Sequence, residues 1–225
     1  MALPLLQLRH QSTAVTASAE ALAAARAAFE RDKYVKLPAF VEPALLTTLL
    51  AELDRTEFYD RVHEGIGTEL CAVPGVLTGT LEMLMNDPVL HHTIEAITGC
   101  EHIGCFQGRA YRLVPNTGHY DSWHSDVGED RLVALSINLG REPYEGGRLQ
   151  IRYADAIDVL SEVSNPITGD AVMFRVHPTL RHRVGAVTGT APRTAYAGWF
   201  CSQPDFMTLM LERLGKLSES THEGA

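Results

Sequence analysis

The residues best suited to chemistry lie together in Tyr120-Asp-Ser-Trp-His-Ser-Asp126. His124 and Asp126 are two positions apart. On a β-strand, side chains two apart leave the same face, so an imidazole and a carboxylate there can reach one cation. The pair alone is a weak signal, because a surface strand whose aspartate bonds a neighbour has the same spacing. A metal site needs a further ligand from elsewhere in the fold. His177 and His182 are the candidates. His177 precedes Pro178 at a turn, whereas His182 stands in Leu180-Arg-His-Arg-Val-Gly-Ala-Val187, where strand-forming residues continue. Strand positions hold a ligand more rigidly than turns do, which makes His182 the expected third ligand. Two histidines and one carboxylate occupy one face of a metal and leave three positions open, the facial arrangement of non-haem Fe(II) sites. The usual zinc form of this donor set, H-E-x-x-H on a helix, does not occur in the chain.

Arg193 follows His182 after the turn Thr188–Pro192. On a strand starting there, Arg193, Ala195, Ala197 and Trp199 share one face. A buried arginine in such surroundings needs an anion, and the carboxylate of a small cosubstrate would supply one in a bidentate contact. Pairing with a local Asp or Glu is the alternative.

The elements that must position these groups change character near residue 105. Before it the chain reads mostly helical. Ala17 to Lys33 is rich in good helix formers, Tyr34–Leu37 reads as a short strand, and Pro43 opens a helix with Leu45, Leu46, Leu49, Leu50 and Leu53 at helical spacing. Thr80–Met85 and Pro88–Thr98 read as short helices, the second stopped by Gly99. After it, strands are predicted near 107–114, 121–127, 131–139, 147–153, 170–176, 181–187 and 193–201, a spacing that suggests a sandwich or barrel. In Arg131–Leu139 the residues Val133, Leu135, Ile137 and Leu139 form an apolar face. Leu132, Ala134, Ser136 and Asn138 form the other, which suits a wet cavity. Met207–Leu217 reads as a last helix. With no linker or repeat, residues 1–225 read as a single domain: mostly helical support in 1–104, a β core in 105–201, and a helix and tail in 202–225.

The stretch from Cys105 to Phe200 resembles the double-stranded β-helix (jelly-roll, cupin-like) core of the Fe(II)- and 2-oxoglutarate-dependent dioxygenases. The resemblance rests on six pieces in order. These are Arg109-Ala-Tyr-Arg-Leu-Val-Pro115, Trp123-His-Ser-Asp126 and Val133–Leu139, then Glu145-Gly-Gly-Arg-Leu149, Gly169–Phe174, and His182–Arg193 with Trp199-Phe200. It is similar to the compact prolyl-hydroxylase and phytanoyl-hydroxylase-like members. The resemblance implies His124, Asp126 and His182 as catalytic iron ligands, and Arg193 as partner of the distal carboxylate of 2-oxoglutarate. In many of these relatives a tyrosine lies just before the turn preceding the first ligand; here Leu113 or Val114 stands there. Tyr111, Ser136 and Asn138 are then the alternatives for the proximal carboxylate, with Trp199 shielding the cosubstrate. The implied reaction converts O2 and 2-oxoglutarate to succinate and CO2 while a substrate is hydroxylated. Halogenating relatives carry Gly or Ala in place of the carboxylate ligand, so Asp126 points to hydroxylation or desaturation. The rival reading is a non-catalytic cupin-like module that binds a metal or ligand without turnover.

Substrate contacts are expected from Tyr120, Trp123, Arg109 and Arg148, and the substrate is a small molecule, amino acid or peptide. The chain carries 19 Lys+Arg against 28 Asp+Glu, a net charge of −9, and no basic run, which argues against nucleic acid as a partner. No apolar run approaches a bilayer span, and the start carries no basic n-region or cleavage site, so a cytoplasmic protein without membrane contact is expected. The four cysteines show no CxxC spacing and read as reduced thiols.

Overall fold

The computed structural model describes residues 4–128 and 130–222, with side chains through Leu214. The first elements are β1 (Leu6–Leu8), β2 (Thr13–Val15), α1 (Ala19–Asp32), β3 (Tyr34–Leu37) and α2 (Pro43–Leu53). A hairpin of β4 (Phe58–His63) and β5 (Gly67–Ala72) precedes α3 (Val76–Met85) and α4 (Pro88–Thr98). Then come β6 (Cys105–Leu113), β7 (Tyr120–Asp121), β8 (Arg131–Asn138), β9 (Glu145–Gly146), β10 (Leu149–Tyr153) and β11 (Ser161–Val163). Last are β12 (Ala171–Arg175), β13 (Leu180–Val184), β14 (Val187–Thr188), β15 (Arg193–Cys201) and α5 (Phe206–His222).

The helices begin and end where local chemistry dictates. The Ser18 side chain accepts the Ala21 N–H at the start of α1, and Asp87 accepts from Val89 at the start of α4. Pro43 and Pro88 occupy first-turn positions that need no amide donor. Gly99 ends α4 at φ 65°, the left-handed region open to a residue without Cβ.

Among the described residues the larger sheet has eight strands, with the path β3-β12-β8-β15-β6-β5-β4 and β7 added to β5. A smaller sheet runs β11-β10-β13, and β9 pairs with β14. The pairings within these sheets are antiparallel. The result is a jelly roll: two sheets face each other, and helices cover the outer side of the larger one. Alternation along β8 divides the labour. Val133, Leu135 and Ile137 belong to one apolar core with Phe106, Tyr196 and Phe200 and with helix residues Phe29, Leu45, Leu81 and Ile94. Ala134 and Ser136 face the opposite way, into a cavity between the sheets.

Two expectations need correction. Residues 1–104 are less helical than their composition suggests, because β3, β4 and β5 add strands to both ends of the larger sheet. Phe58-Tyr-Asp-Arg-Val-His63 shows no apolar alternation; it is a strand because six of its residues find ladder partners on β5. The expected strand 121–127 also does not exist as one element. Tyr120 and Asp121 pair with Thr68 and Gly67 of the larger sheet, whereas His124 bridges to His182 of the smaller one. The chain changes sheets between them, so no single ladder can hold both. Likewise β13 and β15 lie in different sheets, so Arg193 approaches the site from across the sandwich.

No helix among the described residues is long and apolar enough to cross a membrane. Ile137 is fully buried at the centre of the larger sheet. Ile137→Ala should lower the unfolding free energy by about 2–5 kcal/mol in urea melts. Val62→Ala, on a strand residue that is 73% exposed, should change it by less than about 0.5 kcal/mol.

Candidate metal centre and cavity

The change of sheets at residues 122–124 brings three donors together. One ligand atom from each of His124, Asp126 and His182 lies within 4.8 Å of the other two. His124 and His182 exchange both main-chain hydrogen bonds, each N···O 3.0 Å, which brings their imidazoles to 4.3 Å between centroids. Asp126 spans them, with Oδ1 3.5 Å from His124 Nε2 and Oδ2 3.2 Å from His182 Nε2. His124 Nδ1 donates to the Ser122 carbonyl at 2.7 Å, which leaves Nε2 turned toward the cluster. The His182 ring rests 4.7 Å from that of Phe174. Trp199 Nε1 donates to Asp126 Oδ2 at 2.8 Å, and the Arg131 guanidinium covers the Trp199 ring at 3.6 Å. Two imidazoles and one carboxylate on one side of a common point, open toward the cavity, fit a divalent metal of the iron type. His177 lies outside this cluster, exposed and bonded to Thr179.

Without a metal the cluster stores charge. Burial works against a charged His124, but the hydrogen bond to Asp126 and the nearby Asp121 outweigh it and raise the imidazole to about 9. Burial likewise opposes ionisation of Asp126, yet both histidines and Trp199 hold it well below the usual carboxylate range. The raised His124 stabilises the metal-free fold fully below its ordinary pKa of 6.5, and this contribution is lost as pH rises through about 9. The lowered Asp126 contributes above its ordinary 3.8, and that contribution is lost only as pH falls far below it. A metal binds only the neutral imidazole, so it must displace the proton. At about pH 7.5, uptake of Co(II) should release close to one proton, seen as a binding enthalpy that varies with the buffer's ionisation enthalpy; buffer-independent enthalpy would contradict this assignment.

Arg193 lies in the same cavity and is only 6% exposed. Among the described residues its guanidinium has no acidic partner, which removes the local ion-pair alternative. It donates to the Tyr111 hydroxyl and, at 3.2 Å, to Ser136 Oγ. The rings of Tyr111 and Tyr144 flank it at 5.4 and 5.9 Å. Burial pushes the Tyr111 phenol above its ordinary range, so it stays protonated and cannot neutralise the cation. A buried guanidinium supported only by hydroxyls has the charge and free donors to accept a carboxylate.

The cavity, about 550 Å³, extends from these groups to a wall made by β4, β5 and β6. There Glu69 accepts from Arg109 Nε at 2.8 Å and lies 3.2 Å from His63 Nε2. Arg109 stands between the Tyr111 ring at 5.6 Å and the Trp199 ring at 6.0 Å. Arg61 lines the same wall, opposite Glu69 in the strand register. The sequence reading missed Arg61, His63 and Glu69. The glycine-bearing turn His63-Glu-Gly-Ile-Gly67 between two six-residue strands was the available signal.

Of the residues expected at the site, Arg109, Tyr111, Tyr120 and Trp199 line the cavity. Three expected contacts do not. Asn138 is buried beyond the cavity's end and its Oδ1 is occupied by the Gly140 N–H at 2.8 Å. Arg148 turns outward to Glu162 at 2.6 Å. Trp123 points to the outside of the smaller sheet, because side chains alternate along the extended chain and His124 takes the inner side.

Residues 106–201 match the model of the 2OG-Fe(II) oxygenase superfamily. No curated protein matches the sequence. Among solved structures, an oxidoreductase of the 2OG-Fe(II) oxygenase family from Burkholderia pseudomallei aligns with TM-score 0.60 and 18% identity, over 82% of this chain and 92% of that one. A Pseudomonas putida prolyl-4-hydroxylase aligns with TM-score 0.60 and 21% identity, over 81% and 99%. The non-haem alpha-ketoglutarate-dependent epimerase SnoN of nogalamycin biosynthesis gives 0.60 and 15%, over 80% and 83%. At these identities the structural likeness speaks for the fold alone. The match to the 2OG-Fe(II) oxygenase superfamily covers the β core, residues 106–201, and it is this core that is similar to the family.

Proposed function

We propose that the protein is a hydroxylase in which His124, Asp126 and His182 hold Fe(II) and Arg193 receives the distal carboxylate of 2-oxoglutarate. The observation that carries the reading is Arg193: a buried cation without an acidic partner, in the same cavity as an open metal-donor set. The bound metal and cosubstrate supply the oxidising equivalent derived from O2. The chain's own residues position and protect. Tyr111 and Ser136 orient the Arg193 guanidinium, which fixes the cosubstrate's far end and so its register at the metal. Trp199 donates to Asp126 Oδ2 and so fixes the orientation of the carboxylate that would help hold the metal. Phe174 and Trp199 present apolar surface beside the donors and keep water from the reacting centre.

The substrate in this reading is a small molecule, an amino acid or a peptide. Arg61 and Arg109 on the far wall favour one that bears a carboxylate. Residues 1–225 act as a single unit, with residues 1–104 supporting the β core. A cytoplasmic setting is part of the proposal; the four cysteines, all free thiols, suit a reducing compartment.

Anaerobic addition of Fe(II) and then 2-oxoglutarate should produce a weak visible charge-transfer band, and admission of O2 should yield succinate. A protein that gave neither would be a binding module without turnover. Arg193→Met should weaken 2-oxoglutarate binding by roughly 10–150-fold, the loss of a charge-assisted contact of about 1.5–3 kcal/mol. Its metal affinity should change far less; equal loss of both would assign Arg193 to the fold. Asp126→Ala should abolish succinate formation while the fold survives, and near-normal turnover would remove it from the ligand set.

A further inference from the structure

Trp123 precedes the first donor and faces away from it. Its indole lies between two guanidinium groups, that of Arg152 at 4.5 Å from the ring and that of Arg183 at 4.7 Å. Arg152 is on β10 and Arg183 on β13. The register pairs Arg152 with Arg181 and Gln150 with Arg183, which makes Arg152 and Arg183 diagonal neighbours on one face. Diagonal neighbours stand about 7–8 Å apart, a gap that one aromatic ring fills. Two like charges at that separation repel each other, and an indole between them attracts both.

Neither arginine has an acidic partner among the described residues. Arg152 donates to the Ala156 carbonyl at 3.1 Å and has a buried Nε without a partner. Arg183 donates to the Gln150 side chain at 2.8 Å. The indole is therefore the group that answers both charges.

The segment from Ser122 to Asp126 carries two of the three donors, yet its main-chain tie to the smaller sheet is one bridge, His124 to His182. That bridge is joined by the side-chain contact of Asp126 with His182 and, just before the segment, by the Val184 N–H donated to Asp121 Oδ2. Ser122 is held by Ile66 and Gly65, and Asp126 by Trp199 and Arg131, all from the side of the larger sheet. Trp123 is the side chain that fastens this segment to the outer face of the smaller sheet, directly behind that bridge.

We infer that Trp123 is a positioning residue: the Arg152–Trp123–Arg183 stack holds the donor segment against β13, so that His124 and Asp126 are placed opposite His182 before the metal arrives. The inference rests on the reading of these three residues as metal ligands. A donor segment that must be ordered on binding loses affinity, and outer-shell partners of metal ligands typically contribute 10–100-fold.

Co(II) binding to the full-length metal-free protein, followed by calorimetry and by visible absorption, tests this directly. Trp123→Leu should weaken Co(II) by about tenfold or more and alter the absorption band, while the melting temperature of the metal-free protein stays within a few degrees. The double variant Arg152→Met/Arg183→Met should do the same, and Trp123→Phe should retain most of the affinity. Arg181→Met removes the same charge from the same strand face without touching the indole and should leave Co(II) affinity unchanged. Co(II) affinity within twofold of the original in Trp123→Leu would overturn the inference. So would equal losses in Trp123→Leu and Arg181→Met. If Trp123→Leu does not fold, the double arginine variant decides by the same criterion. Failure of the metal reading would look different: the unaltered protein would bind no Co(II), or His182→Ala would bind it equally well.

Discussion

The reciprocal main-chain pair between His124 and His182 is the contact on which the site depends. It joins a segment that has just left the larger sheet to a strand of the smaller one. Two residues in such a pair have their side chains on the same face, so the bond that closes the sandwich at this edge also sets two imidazoles side by side. Asp126 comes within reach only because the chain beyond His124 is irregular and bends back toward Trp199. A regular strand would give the same residue order with less freedom to converge.

Charge inside the sandwich is arranged in compartments. The donor cluster gathers negative charge from Asp121 and Asp126 around two histidines. Arg193, on the opposite sheet, is surrounded by hydroxyls and is left uncompensated. On the wall, Arg109 is compensated by Glu69, and burial costs it less than the pairing restores, so its pKa is raised. Tyr111 and Trp199 separate these regions: one ring touches Arg193 and Arg109, the other touches Arg109 and Asp126. Two aromatic side chains thus set the spacing of the charges in a small cavity, at a local polarity low enough for each charge to matter.

The helices serve this arrangement indirectly. Their apolar stripes cover the outer face of the larger sheet, and the shared core runs from Phe29 and Leu45 to Ile137 and Phe200. A sheet backed in this way can leave its inner face thinly packed, with Ala134, Ser136, Ala195 and Ala197 providing room where large residues would fill the sandwich.

Local rules were sufficient for several features. Proline and glycine bounded α4, leucine spacing defined α2, and alternation in Val133–Leu139 separated the helix-covered face from the cavity face. The types of His124, Asp126, His182 and Arg193 suggested the proposed facial metal site and carboxylate receptor, because ligand chemistry depends on residue type. Strand parity, read correctly for His182 and Arg193, does not place Asp126, which reaches the cluster from irregular chain. Strand pairing is not written in the sequence. Phe58–His63 is too polar to be recognised as a strand until Gly67–Ala72 supplies its ladder, so Arg61, His63 and Glu69 stayed hidden. Asn138 has the right parity for the cavity but lies past its end, and Trp123 has the right neighbours but the wrong side. Where a face ends, where a chain changes sheets, and which arginines meet across β10 and β13 follow from long-range register, and register is decided only when distant segments compete for the same backbone hydrogen bonds.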